Sequence, residues 1–155
     1  MYRVVKSCYI DMAHRLRGHK GKCAHIHGHT YKIEISLSCE TLDEMGMAVD
    51  FGDIKQNFFQ PVVDQYDHWL VLCPDDVRVF DQITNHPLLV LLSYQEATGN
   101  PTAEWFAKKL YDLAQGTLAT PELVKRRDGY GGVKIDYVRV YEQLHPTESY
   151  AEYRP

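Results

Sequence analysis

Residues 29–39, HTYKIEISLSC, alternate without a break. His29, Tyr31, Ile33, Ile35, Leu37 and Cys39 share one phase; Thr30, Lys32, Glu34, Ser36 and Ser38 share the other. A side-chain period of two over this length specifies a β-strand with one apolar and one polar face. Such a strand must pair with others and have its apolar face covered, so the chain has to build a sheet with something packed on one side. Residues 2–14 alternate in part, with Val4, Cys8, Ile10, Met12 and His14 in one phase, which predicts a second half-buried strand. Between the two lies a Gly-rich basic loop, 15–26.

The covering layer is legible further on. Phe51, Ile54, Phe58, Val62 and Tyr66 recur at helical spacing, predicting a helix over 51–66 that Pro61 kinks or breaks. NPTAEWFAKKLYDLAQG predicts a second helix, with Pro101 at its first position, Gly116 as its stop and Ala103, Phe106, Leu110 and Leu113 as its buried stripe. GGVKIDYVRVYEQ (131–143) reads as a final strand, and the short apolar run 88–94 reads as another. PDDVRVFDQI reads as a helical turn or two, 116–131 as a polar loop, and the tail after Pro146 as loose. Two helices on one face of a largely antiparallel sheet make an α+β layout, and a short sheet with bare edges invites self-association. At 155 residues, without repeats or low-complexity stretches, the chain reads as one domain, 1–155.

Composition narrows the partners. A net charge of -4 argues against nucleic acid. No apolar run approaches membrane-spanning length and the N-terminus lacks a signal pattern, which predicts a cytoplasmic protein with no membrane partner. Cys8, Cys23, Cys39 and Cys73 form neither a CxxC pair nor a disulfide framework.

Against that background GHKGKCAHIHGHTYK, residues 18–32, stands out, with four of the eight histidines and no acid. His27 and His29, two apart on a strand, leave on the same face, and imidazoles so placed can both reach one zinc. His14, at the end of the preceding strand and in its apolar phase, is the candidate third ligand. Three histidines with an open fourth position is a catalytic zinc arrangement. A lone histidine is more often a plain core or surface residue; the H-x-H pair with an upstream strand-end histidine favours the metal. His19 and His25 read as loop residues. Cys23, among Arg15, Arg17, Lys20, Lys22 and Lys32, is a candidate general base, nucleophile or zinc ligand, with an inert small residue as the competing reading. The same cations suit a polyanion such as a phosphate chain. Asp67 can orient His68 and keep it basic. Glu142 ends an otherwise apolar strand, where a carboxylate needs a partner, and can accept two parallel N–H bonds from an amidine-like edge.

These residues resemble a known family, the 6-pyruvoyl-tetrahydropterin synthase / 6-carboxytetrahydropterin synthase family. The matching pieces are AHRL (13–16), CAHIHGH (23–29), GMAVDF (46–51), DH (67–68), NPTAE (100–104) and YE (141–142), in family order. The resemblance implies the tunnelling fold: an antiparallel four-stranded sheet with two helices on one side. Its subunits join edge to edge into a trimeric barrel, stack as a hexamer, and carry active sites between subunits. It implies zinc on His14, His27 and His29, proton abstraction by Cys23 with Asp67 and His68, and substrate contacts at Glu142, the pterin anchor, Thr102 and Glu104. The implied substrate is 7,8-dihydroneopterin triphosphate.

The short Cys-to-His spacing is similar to that of the 6-carboxytetrahydropterin synthases of queuosine (7-deazaguanine) biosynthesis. These are carbon–carbon lyases that release acetaldehyde. The alternatives are the 6-pyruvoyl product, formed by triphosphate elimination, and a non-catalytic zinc- or pterin-binding module. Three departures bear on substrate and product. An insert around 72–90 lengthens the run between His68 and NPTAE, Gln143 follows Glu142 where many members have Thr, and HWLVL lacks an Asn common after the Asp-His pair.

Overall fold

The computed structural model describes residues 1–73, 75–76, 89–91, 99–118 and 132–155. Strands β1 (Tyr2–His14) and β2 (His27–Cys39) form an antiparallel hairpin in unbroken register from Tyr2↔Cys39 to His14↔His27. Strand β3 is Leu70–Leu72, β4 Leu89–Leu91, β5 Lys134–Gln143 and β6 Ser149–Tyr153. The sheet order is β4-β3-β1-β2-β5-β6. Its body, β1-β2-β5-β6, is antiparallel throughout, while β3 and β4 add two three-residue parallel strands beyond β1. The predicted strand over 88–94 is seen at β4. The tail expected to be loose is in part a strand: β6 pairs with β5, and Glu152 accepts from Arg139 Nε at 2.6 Å. That correction follows from a pairing partner distant in sequence, which a polar stretch does not advertise.

One helical layer covers the sheet. Asp50 caps α1 (Phe51–Ile54), accepting from Gly52 N at 2.6 Å. A π-helical turn, Lys55–Phe59, follows and leads into α2 (Gln60–Tyr66). Pro61 therefore does not break the helix; the backbone widens just before it instead. The carbonyl of Asn57, which an α-helix would pair with the N–H that Pro61 lacks, accepts from Thr117 Oγ1 at 3.0 Å. Helix α3, Ala103–Leu118, starts two residues after Pro101 and runs through Gly116, so neither residue marks its expected end. Phe106, Ala107, Leu110, Tyr111 and Ala114 form its buried face, with Ala103 and Leu113 at the margin.

The core lies between the two layers. Ile10, Met12, Tyr31, Ile33, Ile35, Leu37, Val138 and Val140 from the sheet meet Phe58, Val62, Tyr66, Phe106 and Leu110 from the helices. The other phase of β2 is polar but partly buried. Ser36 and Ser38 donate to Asp136 at 2.9 and 2.6 Å, and Glu34 accepts from Tyr137 and Arg139. Residues 74 and 77–83 of the expected helical turn and 119–131 of the expected loop lie outside the described residues.

Candidate functional site

The hairpin register builds the site. His14 stands opposite His27, and Met12 opposite His29, so all three histidines share the helix-facing side at one end of the sheet. One nitrogen from each lies within 4.8 Å of the others. Their rings sit 4.6 to 5.3 Å apart, centroid to centroid. Backbone carbonyls hold two of them: His14 Nδ1 is 2.7 Å from Pro101 O, and His27 Nδ1 is 2.8 Å from His25 O. A carbonyl only accepts, so Nδ1 carries a proton in both rings, and in the neutral ring Nε2 is the nitrogen with the lone pair. His29 Nε2 is buried with no hydrogen-bond partner, and burial pushes its pKa down, with Glu142 opposing and the other two histidines adding to the fall. Three imidazoles whose nitrogens come this close, two of them oriented by backbone carbonyls, could hold a metal ion.

Two further groups close on the cluster. The pairing of β5 with β2 carries Glu142 past the Lys32↔Tyr141 pair to the side of Tyr31. Glu142 Oε1 lies 3.2 Å from His14 Nε2, 3.7 Å from His29 Nε2 and 3.4 Å from Tyr31 Oη. The contact with His14, first of all, holds the Glu142 carboxyl below its usual range against the effect of burial. Tyr31 is 1% exposed, and burial, then Glu142, raise its hydroxyl far above the ordinary tyrosine value, so it remains a proton donor. Cys23 sits half-buried in a short turn, Lys22–Ala24, whose Cys23 O accepts from Leu16 N.

Thr102, Glu104 and Glu142 line one cavity of about 360 Å³ with Leu16, Ser149 and Tyr150. Thr102 also has a structural role: its Oγ1 accepts from Trp105 N at 3.2 Å and so caps α3.

Asp67 and His68 follow α2. Asp67 ends the helix, accepts from Asp11 N at 2.8 Å, and its second oxygen is 2.9 Å from His68 Nδ1. His68 adopts φ 64, with its N–H on Asp11 O, and its side chain is 71% exposed. It lines a cavity of about 550 Å³ together with Asp11, Ala13, Gly28 and Thr30 from one phase of the hairpin and Met12 and His29 from the other.

The basic loop divides. Arg15 Nε is 3.1 Å from Asp76, and Arg17 reaches Asp75, so both guanidiniums are engaged, whereas Lys20 and Lys22 are exposed. Several participants escaped the sequence reading. Tyr31 was visible on the His29 phase, but nothing in its phase announced that Glu142 would arrive beside it. The orienting carbonyls of Pro101 and His25, and the Thr30–Asp11 hydrogen bond behind Asp67, carry no side-chain signature that spacing could reveal.

Comparison with known proteins gives a consistent result. The family described as 6-pyruvoyl tetrahydropterin synthase matches residues 3–155. A 6-carboxy-5,6,7,8-tetrahydropterin synthase of Rickettsia felis is 36% identical over 110 residues, covering 71% of this chain and 78% of that one. The protein of the same name from Bacillus subtilis is 32% identical over 155 residues, covering 99% and 86%. Among solved structures, an uncharacterized protein from Wolinella succinogenes superposes with a TM-score of 0.72 at 20% identity, covering 99% and 97% of the two chains. The 6-pyruvoyl tetrahydropterin synthase of Caenorhabditis elegans superposes with a TM-score of 0.65 at 20% identity, covering 99% and 95%.

Proposed function

The chain belongs to the 6-pyruvoyl tetrahydropterin synthase family and has its tunnelling fold, and on that footing we propose that it is a zinc-dependent 6-carboxy-5,6,7,8-tetrahydropterin synthase. Its substrate in this reading is 7,8-dihydroneopterin triphosphate, and its products are 6-carboxytetrahydropterin, acetaldehyde and triphosphate, on the route to 7-deazaguanines. The observation that carries the reading is the convergence of three histidines on one point, with Glu142 and Tyr31 against them, in a chain whose relatives at 36% and 32% identity bear that name.

A zinc on His14, His27 and His29 would supply Lewis acidity toward the hydroxylated side chain of the substrate. The chain supplies the rest. Cys23, in the turn ahead of β2, takes a proton from the activated carbon, and His68, held by Asp67, moves another. Glu142 accepts the N–H edge of the pterin in the cavity shared with Thr102 and Glu104. Lys20 and Lys22 meet the triphosphate, since Arg15 and Arg17 are engaged with Asp76 and Asp75. In this reading the working site is built between subunits of a homo-oligomer, a trimer or hexamer, through the bare sheet edges. All four cysteines are unpaired thiols, in keeping with a reducing cytoplasm, and no helix among the described residues is long and apolar enough to cross a membrane.

The test is turnover of 7,8-dihydroneopterin triphosphate by zinc-loaded protein, with products identified by mass. A 6-carboxytetrahydropterin peak with acetaldehyde is expected. A 6-pyruvoyltetrahydropterin peak would replace the lyase with simple triphosphate elimination. No consumption at all would overturn the catalytic reading.

A further inference from the structure

Three consecutive residues ahead of α3 tie together three separate parts of the molecule. Asn100 Oδ1 accepts from Arg17 N at 2.8 Å, and Asn100 Nδ2 donates to Arg17 O at 3.0 Å. Pro101 is buried, and its carbonyl lies 2.7 Å from His14 Nδ1. Thr102 caps the helix through Trp105 N. The reciprocal pair on Arg17 fixes both ends of the Asn100 amide, the proline ring fixes φ at 101, and the cap fixes the residue after. The Pro101 carbonyl is therefore held from both sides.

What that carbonyl does matters for His14, which is 0% exposed. Without an acceptor on Nδ1, its ring could place the proton on either nitrogen, because Tyr31 Oη lies 3.4 Å from Nδ1 and 3.2 Å from Nε2 and a hydroxyl can donate or accept. Glu142 Oε1, 3.2 Å from Nε2, favours a proton on Nε2, the wrong nitrogen for ligating a cation. The fixed Pro101 carbonyl opposes that choice.

We propose that Asn100 is a positioning residue for the metal centre: by gripping the backbone of Arg17 it keeps the Pro101 carbonyl on His14 Nδ1 and so holds the ring in the tautomer that presents Nε2 to a divalent cation. The proposal rests on the metal reading of the histidine cluster. It is separable from simple anchoring of the loop that follows β1. That anchoring also uses the Arg17 guanidinium on Asp75, the Arg15–Asp76 pair, and a close approach in which a Cβ on Gly99 would stand 2.9 Å from Cys73 Sγ. The grip on Arg17 uses only its backbone, so Arg17→Ala keeps the grip and removes the side-chain anchor.

The experiment compares wild type, Asn100→Ala, Asn100→Asp and Arg17→Ala by two readouts. One is zinc affinity from competition with a chromogenic chelator. The other is the His14 tautomer in metal-free protein, from long-range ¹H–¹⁵N spectra of the imidazole. Asn100→Ala should weaken zinc binding roughly 10–100-fold, the range for lost outer-shell partners, and shift His14 from the Nδ1–H form toward a mixture. Asn100→Asp, which retains the acceptor for Arg17 N, should fall between and serves if the alanine variant does not fold. Arg17→Ala should match wild type in both readouts. Wild-type affinity and tautomer in both Asn100 variants would overturn the proposal, as would an equal loss in Arg17→Ala. If wild type takes up no zinc, the metal reading falls, and the tautomer spectra still decide whether Asn100 sets the ring.

Discussion

A buried imidazole nitrogen without a partner, as at His29 Nε2, is costly unless a ligand completes it. Burial also keeps that ring neutral near pH 7, so it offers a lone pair rather than a charge. Wild-type protein should accordingly retain about one zinc per chain after dialysis, and His29→Ala, left with two imidazoles, should retain almost none; metal analysis by mass spectrometry against protein concentration checks this. Equal zinc in both would remove His29 from the ligand set. At the other end of β5, Asp136 shows the opposite balance. Burial pushes its carboxyl up, but hydrogen bonds from Ser38, Ser36 and Arg3, with the charge of Arg3, outweigh it and hold the carboxyl below its usual value. A depressed folded-state pKa contributes stability that is present above the unfolded value of about 3.9 and is lost as pH falls through the folded one. Asp136→Asn should therefore lower the urea midpoint at neutral pH and flatten its decline between about pH 5 and pH 2. An unchanged acid limb would show that this carboxyl does not couple to folding.

The helix over Phe51–Tyr66 illustrates how an element survives a residue that should end it. Pro61 removes one donor, the backbone widens through Lys55–Phe59, and Thr117 on α3 donates to the Asn57 carbonyl while also bonding Leu113 O. Thr117→Val keeps the shape and removes that donor, so it should cost about 1 kcal/mol, the usual net worth of one hydrogen bond, read as a shifted urea midpoint with unchanged slope. No shift would mean the π-helical turn satisfies Asn57 by itself. From sequence, the helix was legible because Ile54, Phe58, Val62 and Tyr66 keep their spacing through the irregularity, whereas the irregularity itself was not, because its compensation lies on another helix. The same contrast runs through the sheet. The phases of β1 and β2 were plain, since burial sorts their residues locally. Strand β3 is too short to show a period, and β6, SYAEY, is polar and holds through β5 and the Arg139–Glu152 pair. At the site, the histidines were legible because they lie two apart on a strand and at the end of its neighbour. Tyr31, Asn100 and Pro101 became recognisable only once register and chain return set them beside those rings.

At the scale of the whole molecule the matter to settle is which copy's Asp-His pair serves which histidine cluster. His14, His27 and His29 lie on the helix-covered side with Glu142, while His68 stands exposed beside β1, at a cavity lined by Asp11, Thr30 and His29. In the proposed assembly a second copy docks so that its Asp-His edge meets this chain's cluster. Exposed Tyr2, Val5 and Tyr9 on β1 and Tyr150 on β6 give the sheet apolar surface for such contact. This geometry makes a specific prediction about mixtures. His29→Ala and His68→Ala should each be inactive alone. Unfolded together in equal amounts and refolded, they should regain roughly one quarter of wild-type turnover, because in a cyclic assembly with random mixing about one interface in four joins an intact cluster to an intact Asp-His pair. Samples mixed without subunit exchange should stay inactive, and sedimentation should show one assembly size throughout. If the co-refolded oligomers stay as inactive as the separate variants, each active site draws on a single chain.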